Sequence, residues 1–489
     1  MIKRSIKVNT VFSILKSVSS VIFPLITFPY ISRVLLPDNV GKISFSNSYV
    51  NYFLLLATLG VTAYAVRELS RVREDKKAFE KLAGQIFSIN VITMAVAYLC
   101  LFLSLIFLRP LDDYRDLIIL QSSLLLCATV GTDWVNSAME DFSYITIRAI
   151  AFQLISLVAM FLFVREPDDY VIYAFISVFP TGGANILNLW YCRRFCKIRF
   201  TLHPDWKRHF SPILQLFVMQ LAQVVFSNAD ILMLGLIHSD YEVGVYTVAV
   251  RIYTILTQLL ASVFLVVLPR LSAYYGENDY EKINPLLRKI LGFLVAFGFP
   301  CLVGTACLSR EIVTIIGGEA YLGAAPVLQL LMVALFFALL GGNFIGNVIL
   351  IPSRREKTFL YVCCITAVLN VVLNGILIPF LGILGAAIAT AASSFAIFAM
   401  LLPSLEKEIR LGKMRTLFLL PLLGCAWIVL VAVLCNLLIG DMWIRIFCTV
   451  GASVAGYGAI LWFGKYELVA SVWNAVLSKF RKKGESVHE

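Results

Sequence analysis

Charged side chains are scarce in this sequence. Only 15% of the 489 residues are Asp, Glu, Lys or Arg, whereas soluble domains carry about 25%. Hydrophobic residues make up 60% of the chain, and its mean hydropathy is +0.86. This balance excludes a soluble globular protein and predicts an all-α integral membrane protein.

Several signatures of chemistry are also missing. None of the eleven cysteines lies in a predicted outer loop, so the sequence implies no disulfide framework. No G-x-x-x-x-G-K-[ST] segment is present, so we do not expect ATP hydrolysis. The four histidines lack the spacing of metal ligands, so we expect no metal site; they are His203, His209, His238 and His488. The sequence therefore predicts neither a bound cofactor nor ATP-driven chemistry in this chain.

Apolar runs of membrane-spanning length recur along the whole chain. About 20 residues cross the hydrocarbon core as a helix, and fourteen runs approach or exceed that length. No stretch between them is long enough for a soluble domain. The runs are 8–30, 43–66, 82–108, 117–137, 145–164, 171–191, 213–237, 244–268, 290–309, 326–349, 359–378, 384–403, 417–439 and 446–464.

The basic residues lie mostly on one side of these spans. Of the 41 Lys and Arg, 31 fall on the side that holds the N-terminal segment, seven fall on the other side, and three lie inside spans. An excess of this kind marks the cytoplasmic side. The net charge of +11 is therefore attributed to topology and not to nucleic acid, and both termini are predicted to be cytoplasmic.

A weak internal repeat divides the spans into two halves. With an offset of 203 residues, Gly41 falls on Gly244 and Arg67 on Arg270, so a loop, a helix and a basic exit recur in register. Two parallel six-helix halves with a binding site between them are typical of some transporters. The alternative is that any two membrane hairpins share a glycine turn and a basic exit.

The repeat and the loops predict five regions. They are a six-helix bundle at 1–191, a basic cytoplasmic linker at 192–212, a second bundle at 213–403, helices 13 and 14 at 404–464, and a cytoplasmic tail at 465–489. The tail repeats apolar residues at helical spacing and ends in a basic cluster, which is typical of a helix that lies on an anionic membrane surface. A solvated cytoplasmic helix is the alternative.

Polar residues form rows at steps of three and four in several spans. Such rows indicate a polar, hydrated cavity, and the alternative is that they join helices to one another. The rows include Lys16 in span 1, Asn47 and Asn51 in span 2, Asp133 in span 4, Asp230 in span 7, Arg251 and Gln258 in span 8, Asn343 in span 10, and Asn370 and Asn374 in span 11.

Ionisable residues inside spans favour the interpretation as a hydrated cavity. Burying each of them in the hydrocarbon core would cost several kcal/mol, so such residues are candidates for function. Asp230 and Arg251 lie at similar depth in adjacent spans, so they could form a structural ion pair. Whether they serve the cavity or only neutralise each other therefore stays open. Asp133 and Lys16 similarly share the cytoplasmic third. Arg148 has a largely apolar helix face and lies near the cytoplasmic end, so we expect its side chain to snorkel to the interface.

Five segments carry a resemblance to a known family. They are FPYISRVLLPDNVGKISFSNSYVNYF (28–53), LGVTAYAVRELS (59–70), NADILMLG (228–235), VGVYTVAVRIYTILTQLLASVFLVVLPRLS (243–272) and FLGILGAAIATAAS (380–393). The chain resembles polysaccharide transporters, the Wzx-type flippases of the multidrug, oligosaccharidyl-lipid and polysaccharide exporter superfamily. The resemblance implies two six-helix bundles in a V shape plus two peripheral helices, working by alternating access.

The resemblance also implies a substrate. An undecaprenyl-diphosphate oligosaccharide would move from the inner to the outer leaflet of the bacterial plasma membrane, for O-antigen, capsule or exopolysaccharide synthesis. Related lipid II flippases carry basic residues in helices 1 and 8, and Lys16 and Arg251 occupy similar places, which implies diphosphate binding. The sugars would meet Asn47, Asn51, Gln258, Asn343, Asn370 and Asn374.

The energy source and the partners are expectations of the same kind. Proton or sodium coupling would need a carboxylate, for which Asp230 and Asp133 are the candidates. The membrane potential alone would also favour outward movement of an anion. We expect the chain to act as a monomer among membrane lipids, and it could cooperate with the polysaccharide polymerase machinery.

Two other functions remain open. A cation-coupled multidrug exporter of the same superfamily would favour an acidic, aromatic cavity, whereas the deep charges here include lysine and arginine. A polytopic polysaccharide polymerase or glycosyltransferase would need a large loop with paired carboxylates, and RPLDDYRD at 109–116 is short for that purpose.

Overall fold

The computed structural model describes residues 6–201, 204–405 and 409–467. Within these ranges every regular element is a helix, as the sequence predicts. The first eight are α1 Ile6–Thr58, α2 Val61–Arg71, α3 Lys76–Phe107, α4 Arg115–Gly131, α5 Asp133–Ala138, α6 Phe142–Phe163, α7 Tyr170–Tyr191 and α8 Trp206–Ile237. The others are α9 Asp240–Glu277, α10 Tyr280–Phe293, α11 Phe299–Cys307, α12 Ser309–Ile316, α13 Ala324–Ala338, α14 Glu356–Leu401, α15 Met414–Leu438 and α16 Met442–Phe463.

Twelve helical stretches in the described part of the chain are long and apolar enough to cross a membrane. Two of them contain a break. The backbone of α1 leaves the helical region at Leu36 (φ 64°, ψ 169°), and that of α14 does so at Gly382 (φ 53°, ψ −130°). An unbroken helix of 53 residues would be about 80 Å long, far more than the roughly 30 Å of a hydrocarbon core. Each broken stretch therefore holds two crossings, and the predicted number of fourteen is confirmed.

The chain divides into two compact units. The first comprises residues 1–248, 316–321 and 367–386, and the second comprises 249–315, 322–366 and 387–489. The predicted boundaries of the two bundles and their V shape stay predictions. The predicted amphipathic tail lies outside the described residues from position 468 onward, as do His203 and His488.

Inside the first unit, two glycines make matching contacts between α1 and α9. A methyl group on Gly41 would overlap the backbone carbonyl oxygen of Asp240, and one on Gly244 would overlap that of Pro37. Gly41 and Gly244 differ by 203 positions, and so do Pro37 and Asp240. The contact is therefore reciprocal: each glycine packs on the carbonyl of the residue four positions before the other glycine. This symmetry supports the predicted parallel repeat.

Candidate functional site

A buried carboxylate lies near the end of α8. Asp230 is only 6% exposed. The Tyr246 hydroxyl of α9 donates a hydrogen bond to Asp230 Oδ2 at 2.7 Å, and Asn374 Nδ2 of α14 donates to Asp230 Oδ1 at 2.5 Å. Three helices of the first unit therefore meet at this carboxylate.

The amide row of α14 extends this polar contact by one turn. Asn374 Nδ2 also donates to Asn370 Oδ1 at 3.1 Å, and both asparagines are fully buried. Asn370 Nδ2 and Asn374 Oδ1 have no hydrogen-bond partner among the described groups. We call Asp230, Tyr246, Asn370 and Asn374 the Asp230 cluster.

The chemistry of the Asp230 cluster suits a small cation. A buried carboxylate is costly unless hydrogen bonds or a positive charge compensate it, and an unbonded amide oxygen lies beside it on Asn374. Carboxylate and amide oxygens are ligands typical of hard cations, and protonation of Asp230 would also neutralise the site. Across residues 6–201, 204–405 and 409–467, no three His, Cys, Asp or Glu side chains are grouped as metal ligands.

Other asparagines of the predicted rows meet near the Asp230 cluster along α8. Asn51 Nδ2 of α1 donates to Asn47 Oδ1 at 3.0 Å and to Asn228 Oδ1 of α8 at 3.4 Å. Asn47 and Asn51 are only partly buried. The predicted row of span 2 is thus joined to α8, the helix that carries Asp230, through Asn228, which lies two residues before Asp230.

Arg148 corrects one expectation from the sequence. Its side chain is 5% exposed, and Arg148 Nη2 lies 2.5 Å from Asp133 Oδ1. Its guanidinium carbon is also 5.2 Å from the ring centroid of Tyr144. The prediction that Arg148 snorkels to the interface is therefore wrong, because Asp133 on α5 supplies a partner that the sequence of α6 alone does not reveal.

The remaining predicted residues lie at separate places. Lys16 on α1 is exposed, and so are Arg251 and Gln258 on α9. Asn343 is half-buried in the π-helical segment Leu339–Leu350 that follows α13, where its Nδ2 donates to the Ala338 carbonyl at 3.1 Å. Their roles in substrate binding stay predictions, as does the ion pair between Asp230 and Arg251.

The sequence did not reveal Tyr246 or the true place of Arg148. Tyr246 lies in an apolar run, where a tyrosine is commonly read as packing or as an interface anchor. Its position 16 residues after Asp230, across the short turn between α8 and α9, is the signal that could have found it.

Among known proteins, this chain is similar to several that are named as transporters or flippases. The putative O-antigen transporter of Escherichia coli (strain K12) is 22% identical over 413 residues, which cover 82% of this chain and 96% of that protein. The probable low-salt glycan biosynthesis flippase Agl15 of Haloferax volcanii is 27% identical over 182 residues, covering 36% of this chain and 37% of that protein.

Solved structures share the fold. Lipid II flippase MurJ in an inward closed conformation aligns with a TM-score of 0.72 at 16% identity, over 93% of this chain and 99% of that chain. An inward-facing multidrug resistance MATE family transporter of the MOP superfamily aligns with a TM-score of 0.60 at 15% identity, over 83% and 96% of the two chains.

Family models agree with these likenesses and confirm the resemblance found in the sequence. A model described as MatE matches residues 216–376. A second model matches residues 6–275, more than half of the 489 residues. Because that model is described as polysaccharide biosynthesis protein, the chain belongs to the polysaccharide biosynthesis protein family.

Proposed function

We propose that this chain is a flippase that moves polyprenyl-diphosphate-linked oligosaccharides from the inner to the outer leaflet of a bacterial plasma membrane by alternating access. Membership of the polysaccharide biosynthesis protein family and relatives named as an O-antigen transporter and a glycan flippase support this function. These relatives also favour a transporter over a polymerase or glycosyltransferase.

The Asp230 cluster is the observation that carries the mechanism. A transporter coupled to an ion gradient needs a site whose charge changes during the cycle, and Asp230 is a buried carboxylate bonded to groups on two other helices. Binding of Na⁺ or a proton at Asp230 would alter what Tyr246 and Asn374 can bond to. We therefore assign ion coupling to Asp230, with Asn370 and Asn374 acting beside it.

The diphosphate needs cations that neutralise it without holding it permanently. Lys16 and Arg251 are exposed cations on helices that cross the membrane. Moving an uncompensated charge from water into hydrocarbon carries an idealised cost of order 20 kcal/mol. We assign successive contacts with the diphosphate to these two residues.

The sugars need groups that replace water. Asn47, Asn51, Gln258 and Asn343 are partly or fully exposed amides and suit this role. Asn370 and Asn374 are fully buried, so a sugar would reach them only after the helices around Asp230 separate. Each unpaired sugar hydroxyl costs roughly 4–8 kcal/mol in an alkane-like medium, which is why several amides are required.

A second driving force is the membrane potential. With the cytoplasm negative, an anion that moves outward gains about 2.3 kcal/mol per charge per 100 mV. Asp133 is a weaker candidate for ion coupling, because its carboxylate already bonds to Arg148. The protein would work as a monomer among membrane lipids and would hand its product to polysaccharide polymerase machinery.

The test uses vesicles that contain the purified protein and a polyprenyl-diphosphate oligosaccharide. The measurement is the fraction of glycan that a membrane-impermeant glycosidase reaches over time. We expect Lys16→Ala and Arg251→Ala to lower the flipping rate by roughly tenfold or more, because a hydrogen bond to a charged group contributes about 1.5–3 kcal/mol. Lys357→Ala, an exposed lysine outside the predicted rows, is the matched control and should leave the rate unchanged.

The same vesicles test the coupling residue. A sodium or proton gradient should accelerate flipping by the wild-type protein, whereas Asp230→Asn should flip at one rate with and without either gradient. A gradient response that survives in Asp230→Asn and disappears in Asp133→Asn would move the coupling role to Asp133. If both Lys16→Ala and Arg251→Ala flip the glycan at the wild-type rate, these two residues do not bind the diphosphate.

A cation-coupled drug exporter is the second candidate, favoured by the match of the MatE model to residues 216–376. The two functions differ in the charge of their cargo. Export of a lipophilic cation by these vesicles, with no movement of the glycan, would replace the flippase by the drug exporter.

A further inference from the structure

A cavity of about 500 Å³, lined by both polar and apolar residues, lies within the second unit. Its wall includes the last residue of α11, the N-terminal parts of α12, α13 and α16, and the C-terminal part of α15. Asn436 lies two residues before the end of α15, and Arg445 lies three residues after the start of α16. At 1.5 Å per residue these positions are about 3–5 Å inside the helix ends, the depth at which a membrane meets water.

A buried ion pair forms one side of the cavity. Arg445 Nη2 lies 2.8 Å from Glu311 Oε1, and the two side chains are 19% and 8% exposed. Arg445 Nη1 also donates to Asn436 Oδ1 at 3.1 Å. Charges of this kind remain buried only where a partner and further hydrogen bonds compensate them, so this wall of the cavity is a fixed, pre-organised structure.

Two hydrogen-bond donors beside the ion pair have no partner among the described groups. Arg445 Nε bonds to no described group, and neither does the hydroxyl of Thr449, which lines the same cavity and is 2% exposed. Buried polar groups normally find a hydrogen-bond partner. Unsatisfied donors on the wall of a cavity therefore point to a ligand that carries acceptor atoms.

The charge of the wall selects the sign of that ligand. Arg310 also lines the cavity and is exposed. Arg310 and Arg445 outnumber Glu311 by one, so the wall carries one net positive charge. Both arginines belong to predicted outer loops, which hold only seven of the 41 basic residues. Two of these seven, from loops 135 positions apart, meet at this one cavity.

The surroundings of the cavity are apolar and open. Leu437, Leu438, Trp443 and Phe447 at the same ends of α15 and α16 are all exposed. Exposed aliphatic side chains next to an interfacial tryptophan are typical of a surface in contact with lipid acyl chains. The cavity therefore presents charged and polar side chains at the edge of an apolar surface.

We propose that this cavity binds the headgroup of an anionic phospholipid from the outer leaflet. The phosphodiester carries one negative charge and only acceptor atoms, which matches the single net positive charge and the unbonded donors of Arg445 and Thr449. Arg310 closes over the phosphate from the exposed side, and the acyl chains lie along α15 and α16. An amine-bearing headgroup fits less well, because Glu311 already bonds to Arg445 and Arg310 would repel the ammonium.

The experiment measures lipids that stay bound to the purified full chain. Native mass spectrometry is carried out with added phosphatidylglycerol, phosphatidylethanolamine or glycerol 3-phosphate, and thermal unfolding is measured with the same additions. We expect the wild-type protein to retain phosphatidylglycerol over phosphatidylethanolamine. Arg310→Gln should weaken phosphatidylglycerol retention by roughly tenfold, and Thr449→Val by roughly threefold, as expected for the loss of one hydrogen bond to a charged group or from a neutral donor. Both variants leave the Arg445–Glu311 pair intact.

Arg165→Gln is the matched control, since Arg165 is an exposed arginine of another predicted outer loop and does not line the cavity. Unchanged retention in Arg310→Gln and Thr449→Val, or an equal loss in Arg165→Gln, overturns the site. Equal retention of phosphatidylethanolamine overturns the charge selection. Stabilisation by glycerol 3-phosphate that matches that by the lipid shows a site for free phosphates instead of a lipid site.

Discussion

Arg148 keeps its positive charge inside the first unit, while its partner Asp133 remains 41% exposed. Arg148 Nε and Nη1 bond to no other described group, so the carboxylate of Asp133 and the ring of Tyr144 carry most of the compensation of this charge. The two members of the pair are thus unequal. Loss of the carboxylate leaves a buried cation uncompensated, whereas loss of the cation leaves a carboxylate that water can reach.

This inequality predicts an asymmetric effect of substitution. Asp133→Asn should destabilise the folded protein by about 3–5 kcal/mol, because removing one partner of a buried pair strands the other charge. Arg148→Met, which keeps most of the volume and removes the charge, should cost clearly less. The measurement is the unfolding transition of each purified variant in detergent.

An exposed pair provides the comparison for these variants. Arg73 Nη1 lies 2.7 Å from Glu140 Oε1, and the two side chains are 37% and 51% exposed. Glu140→Gln should change stability by less than about 1 kcal/mol, as is usual for surface ion pairs. If Asp133→Asn is no more harmful than Glu140→Gln, Arg148 has another source of compensation.

The reciprocal glycine contact joins α1 and α9 at the scale of the element. A side chain on either glycine would meet a backbone carbonyl, which cannot move aside as the end of a flexible side chain can. Only glycine allows this approach, and glycine occupies both positions, which are 203 residues apart.

We expect Gly41→Ala and Gly244→Ala each to destabilise the protein by about 1–3 kcal/mol, the usual cost of forcing extra volume into a packed contact. Gly304→Ala in α11 is the control, because a methyl group there meets nothing within 4 Å. Alanine gains up to about 1 kcal/mol over glycine inside a helix, so this variant should be neutral or stabilised. Thermal unfolding in detergent compares the three, and equal stability would show that α1 and α9 can separate at this point.

The hydropathy of the sequence predicted where the helices lie, but it did not predict which groups their polar side chains contact. The runs 359–378 and 384–403 were predicted as separate spans, and the backbone of α14 does leave the helical region between them, at Gly382. The polar row of Asn370 and Asn374 was predicted from the sequence, but its partner was not. Asn374 bonds to Asp230 on α8 as well as to Asn370. Periodicity shows which residues share a helix face, and it contains no information on which helix lies opposite.

At the scale of the whole molecule, the number of crossings constrains the topology. Fourteen crossings put the segments before the first and after the last on the same side of the membrane, whichever side that is. The basic residues then select the side, because lysine and arginine are retained in the negatively charged compartment during insertion. With 31 of them on the side of the N-terminal segment and seven opposite, that side should be the cytoplasm.

Reporter fusions test this orientation. Green fluorescent protein fused after the last residue should fluoresce, because the segments after α16 are expected in the cytoplasm. Alkaline phosphatase should be active after Asp441, between α15 and α16, and inactive after Gly412, which lies one crossing earlier. The opposite pattern would place the Arg310 and Arg445 cavity on the cytoplasmic side, and the lipid proposed for it would then come from the inner leaflet. Phosphatase activity at both sites would mean that α15 does not cross the membrane.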